Sequence, residues 1–93
     1  MDIVAKHLII KGRVQRVWFR GWIVQSAQAL GLVGWVRNRA NGDVEALVQG
    51  PRADVERLID FAWQGPSAAR VDTIEVSEAE CTALTSFDQR ETL

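Results

Sequence analysis

The 93-residue chain has a single cysteine, Cys81, so an internal disulfide and a thiolate-pair metal site are both excluded. It has a single histidine, His7, inside an apolar-centred segment with no second imidazole to complete a metal site. No apolar run is long enough to cross a bilayer, which argues against a membrane protein. The first ten residues lack the basic start, apolar stretch and small-residue cleavage site of a secretory leader, so a reducing cytoplasm is the expected compartment. Net charge is near neutral at −1, and the five arginines of the first half would suit a small anion better than a nucleic-acid backbone.

What is present is an ordinary globular balance, with 47% apolar and 25% charged residues, enough for a packed core. A chain of this length fits one domain, residues 1–93, and folding hides roughly 60–65% of the surface that the unfolded chain exposes. Charge is distributed unevenly. Residues 1–50 hold 7 basic and 3 acidic groups, whereas residues 51–93 hold 4 and 9. Arg13, Arg16, Arg20, Arg37 and Arg39 make the first half a candidate for binding a small anion.

Periodicity orders the elements. Lys6 to Lys11 (KHLIIK) reads as a first strand ending at Gly12, followed by a loop from Arg13 to about Trp18. Phe19, Trp22, Ile23, Ala27 and Leu30 recur at helical spacing, and Gly31 stands where a C-terminal cap belongs. Leu32 to Arg39 and Asp43 to Gln49 alternate as strands joined by the turn Ala40-Asn41-Gly42. Gly34, Val36 and Asn38 share one face of that hairpin with Val44, Ala46 and Val48. Arg37 and Arg39 oppose Asp43 and Glu45 on the other, as expected solvent-face ion pairs.

Gly50 and Pro51 open a second helix, with Asp54 and Glu56 complementing its positive end and Val55, Leu58, Ile59 and Ala62 as its buried stripe. Gly65 and Pro66 stop it. Val71 to Val76 reads as a fourth strand with Ile74 and Val76 on one face, and a short strand is expected near Ser86 to Thr92. The order predicts an α+β fold of ferredoxin-like βαββαβ type, an antiparallel sheet with two helices on one face. Trp22 and Trp63 are expected to pack, and Trp18 and Trp35 are candidates for the border of a site.

A strand running through a loop into a helix presents unpartnered backbone amides at the positive end of the helix dipole, a ready anion site. Here the segment is Gly12-Arg13-Val14-Gln15-Arg16-Val17-Trp18-Phe19-Arg20, with a guanidinium at the helix start whose fork matches two phosphate oxygens. It has neither a Walker ending nor a dinucleotide fingerprint. A second segment, Gly34-Trp35-Val36-Arg37-Asn38 with Gly42, Val44 and Gly50, follows.

Together the two segments resemble the acylphosphatase family. The family's first pattern is glycine, any residue, Val-Gln-Gly-Val, any residue, Phe-Arg, matched by Gly12, Val14, Gln15, Val17, Phe19 and Arg20. Its second, Gly-aromatic-Val-basic-Asn with Gly, Val and Gly at fixed spacing, is matched throughout. The departure is Arg16, where the family usually has glycine. If that position needs a positive φ, a side chain there costs roughly 1–2 kcal/mol.

The resemblance implies a metal-independent hydrolase of small acyl phosphates with no cofactor. It assigns Arg20 and the loop from Gln15 through Arg16, Val17, Trp18 and Phe19 to phosphate binding, and Asn38 to holding the attacking water. The chemistry agrees. Neither motif supplies a general acid, and a carboxylate is a leaving group that needs none, its conjugate acid having a pKa of about 4. A cysteine phosphatase would need an arginine six residues after Cys81, where Phe87 stands. Two other readings are a non-catalytic anion or acyl-phosphate sensor, prompted by Arg16, and an RNA-binding module, for which the central strands lack stacking aromatics. The expected protein is a cytoplasmic monomer that binds neither nucleic acid nor membrane.

Overall fold

The structure, a computed structural model, describes residues 2–93. Its elements are β1 (Ile3–Arg13), α1 (Phe19–Ala29), β2 (Val33–Asn38), β3 (Val44–Pro51), α2 (Arg52–Gln64), β4 (Arg70–Ala79) and β5 (Phe87–Gln89). The strands lie in the order β4-β1-β3-β2-β5, so the first four form the antiparallel sheet expected of the βαββαβ order.

β1 outruns its expected span at both ends because it is paired on both sides, with β3 and with β4. Its alternation decides which face is covered. Leu8 and Ile10 point with Val44, Ala46, Val48 and Val36 into a layer that is closed to solvent. Phe19, Ile23 and Ala27 of α1 and Val55, Leu58 and Ala62 of α2 fill the other side of that layer. Apolar stripes at helical spacing on two helices and at period two on three strands can be buried together only in this sandwich.

Gly31 ends α1 as the spacing predicts. It adopts φ 71°, its amide donates to the Gln28 carbonyl, and Leu32 donates back to Ala27. Those two bonds satisfy carbonyls that the helix end would otherwise orphan, and a positive φ is least costly at glycine.

Four expectations are corrected. Pro51 closes β3 and caps α2 from outside with φ −55° and ψ 136°, so the helix begins at Arg52, with Asp54 in its first turn and Glu56 beyond it. Trp63 is not a packing residue: its face of α2 points outward and leaves it 47% exposed. The sheet is also not purely antiparallel, because β5 runs parallel to β2. The chain leaves β4 at one edge, is pinned where Gln49 exchanges two hydrogen bonds with the Thr82 backbone at 2.9 Å each, and reaches the far edge, where Phe87 is buried.

The last correction concerns the uncovered face. Glu45 is not a solvent-face charge but is 6% exposed, because side chains from β1, from β2 and from the turn that follows β2 close around it. His7 Nε2 donates to it at 2.6 Å, Arg37 Nε at 2.7 Å and Arg39 Nη1 at 3.0 Å, while Asp43 faces Lys11 at 3.4 Å. Burial raises the Glu45 pKa, but the His7 bond and the two arginines outweigh it and hold the carboxyl down at about 2. Trp35 lies on this face, with the guanidinium groups of Arg37 (4.7 Å from the ring centroid) and Arg90 (5.0 Å) both over its ring.

Candidate active site

β1 and β2 run in the same direction with β3 between them, so the end of β2 carrying Asn38 lies at the same end of the sheet as the loop leaving β1. Register fixes the face. Asn38 pairs with Val44, and Val44 with Ile10, putting Asn38 in the helix-covered row.

Residues 14–18 bridge β1 and α1, anchored by the buried side chain of Val14. Two residues of this loop sit in the left-handed region, Arg16 at φ 62° and Trp18 at φ 65°. For a non-glycine residue that backbone costs roughly 1–2 kcal/mol, strain of the kind that clusters at functional sites. The positive φ at Arg16 is the conformation that a glycine would adopt most cheaply.

α1 begins without help from a side chain. No side chain caps it, no acidic residue lies in its first turn, and its first bond runs from the Trp22 amide to the Trp18 carbonyl. The amides of Phe19, Arg20 and Gly21 precede that bond and so have no partner within the helix. They sit at the positive end of the helix dipole.

These parts enclose a pocket of about 130 Å³. The loop contributes Val14, Arg16 and Trp18 to its lining, and the first turn of α1 contributes Phe19, Arg20 and Gly21. Asn38 closes it from β2, and Gln89 from β5. The Asn38 Oδ1 atom is buried without a hydrogen-bond partner, an acceptor for which such burial ordinarily costs about 1–3 kcal/mol. No acidic side chain pairs with Arg16 or Arg20 among the described residues. The lining contains no carboxylate, imidazole or thiol.

Arg20, Asn38, Arg16, Trp18 and Phe19 thus meet at one pocket. Gln15 and Val17 do not line it. The Gln15 side-chain amide donates to the carbonyls of Arg39 at 2.7 Å and Asp43 at 2.8 Å, and Val17 packs against the core. Trp35 lies on the far face of the sheet, away from the pocket. Sequence reasoning missed Gln89 and Gly21. The segment near Ser86 to Thr92 signalled a strand but not its partner, and only the pairing of Gln89 with Val36 brings it beside Asn38.

The family profile described as Acylphosphatase matches residues 6–89. A curated acylphosphatase of Rhizorhabdus wittichii is 46% identical over 92 residues, covering 99% of this chain and 93% of that one. Among solved structures, an acylphosphatase from Coxiella burnetii superposes with a TM-score of 0.92 at 32% identity, covering 96% of this chain and 94% of that one. One from Bacillus subtilis gives 0.91 at 30% identity, covering 96% and 99%.

Proposed function

The chain belongs to the acylphosphatase family, and from that premise we propose that this pocket cleaves the carboxyl-phosphate bond of small acyl phosphates, with Arg20 and the amides of the loop and of the first turn of α1 clasping the phosphoryl group and Asn38 orienting water. The observation that carries this reading is the unpartnered, buried Asn38 Oδ1 on the same pocket as two guanidinium groups without acidic partners. A carbonyl acceptor left bare in a site otherwise furnished with donors suits a water proton.

The lining accounts for the bond that breaks. The water oxygen forms a bond to phosphorus as the bond from phosphorus to the acyl oxygen breaks. The electron pair leaves on a carboxylate, and the water's proton passes to a phosphoryl oxygen. Guanidinium and amide donors stabilise charge on the phosphoryl oxygens without protonating anything. With no carboxyl, imidazole or thiol on the lining, an alkoxide leaving group would depart unassisted, whereas a carboxylate needs no proton. The positive helix end and the arginines provide the electrostatic stabilisation, so the reading is metal-independent. It is also that of a cytoplasmic monomer, for which a reducing compartment suits the exposed Cys81.

The test is phosphate release from acetyl phosphate by chelator-treated protein, with an alkyl phosphate monoester alongside. Acetyl phosphate is hydrolysed and the monoester is left intact. Loss of activity on chelation, or equal turnover of the ester, would overturn the mechanism.

A further inference from the structure

Resting on that reading of the pocket, we propose that Trp18 selects the acyl half of the substrate, so that acyl phosphates with a flat aromatic acyl group are favoured over short aliphatic ones. The pocket's volume, about 130 Å³, is well below the roughly 300–1,000 Å³ of sites that enclose whole ligands. With the phosphoryl group held against Arg20 and water beside Asn38, the acyl group has to lie at the rim.

Trp18 is the apolar surface found there. Ile3, Trp18, Trp63, Val76 and Leu93 are the exposed large hydrophobic residues of the described chain, and of these only Trp18 lines the pocket. It is 59% exposed, so its indole gains little from packing. Its backbone nevertheless takes φ 65° and ψ 24°, an uncommon conformation for a bulky residue.

The indole has a defined seat. It lies so close over Gly21 that a Cβ there would overlap its pyrrole edge, with Cδ1 only 2.8 Å away. Glycine at this helical position therefore lets the ring lie over the first turn of α1, beside Arg20. An aromatic ring presented at the rim attracts another by offset or edge-to-face stacking, a gain that a methyl group does not provide.

The experiment compares kcat/KM for benzoyl phosphate and acetyl phosphate as a ratio. Trp18→Leu, which keeps apolar bulk but no π face, lowers the benzoyl-to-acetyl ratio by about 3- to 10-fold, chiefly through the benzoyl phosphate KM. Trp18→Phe retains most of the ratio. Gly21→Ala, which drives the indole from its seat while leaving it in the chain, lowers the ratio as Trp18→Leu does. A ratio unmoved by Trp18→Leu, in protein that still hydrolyses acetyl phosphate, overturns the inference alone. Hydrolysis of neither compound by the unaltered protein overturns the reading of the pocket and this inference with it.

Discussion

The side-chain nitrogen of Gln15 lies 2.7 Å from the carbonyl oxygen of Arg39, so one side chain ties the loop before α1 to the strand end that carries Asn38. A second bond, at 2.8 Å to Asp43, fixes the Gln15 amide plane against the hairpin. The distance between the loop before α1 and Asn38 is thereby set by a contact that never enters the pocket.

Gln15→Ala should lose both bonds, each worth roughly 1 kcal/mol net, and lower the midpoint of thermal unfolding by several degrees. Acetyl phosphate turnover should fall about 10-fold as the two halves of the site lose register. Gln15→Glu, of nearly the same shape, sets acceptor oxygens against two carbonyls and should be worse on both counts. A thermal scan and phosphate-release kinetics on the pair check this. A Glu variant as stable as the Ala variant would contradict the tie.

Asn38 holds a buried acceptor without a partner, so the site is bought at some cost in stability. Asn38→Leu should raise stability by about 1 kcal/mol while abolishing most turnover, the signature of a residue kept for chemistry. Asn38→Ala should lower kcat with KM nearly unchanged. Arg20→Ala should cost about 10²-fold or more in kcat/KM. Denaturant unfolding and steady-state kinetics on the same preparations separate these effects.

Arg16 keeps a left-handed backbone that glycine adopts more readily. Arg16→Gly should therefore gain about 1 kcal/mol, raising the unfolding midpoint by several degrees. It also removes one of two guanidinium groups from the pocket, so inhibition by inorganic phosphate should weaken. An unchanged inhibition constant would show that this side chain does not face the anion.

Glu45 gives the pH dependence. Its folded-state pKa is depressed from 4.5 to about 2, so the stabilisation it supplies is present above about pH 4.5 and is lost as pH falls toward 2. A shift of that size corresponds to about 3 kcal/mol. Glu45→Gln should flatten the fall in stability between pH 4.5 and 2 measured by urea unfolding. It should also lower stability at neutral pH, because Arg37, Arg39 and His7 lose their shared anion.

Much of this was legible in the chain itself. The two motif segments name Arg20 and Asn38, and the period-two and helical patterns yield four strands, two helices and the Gly31 cap in order. Glu45 was misread because only the β2–β3 pair was visible. Its third partner, His7, comes from β1, and nothing in local spacing says that His7 and Glu45 come together on neighbouring strands. Trp63 was misjudged for a similar reason, since a tryptophan on a helix announces bulk but not which side of the stripe the sheet will cover.

Residue types and local spacing carry the alternation of elements and the two motif segments, and these can be read before any strand has a neighbour. That β5 runs parallel to β2 and brings Gln89 to the pocket, that Gln15 binds the hairpin, and that Trp35 faces away emerge with the packed fold. Those outcomes depend on which strands become neighbours. That choice is made by burying all the apolar faces at once, and no short segment carries it alone.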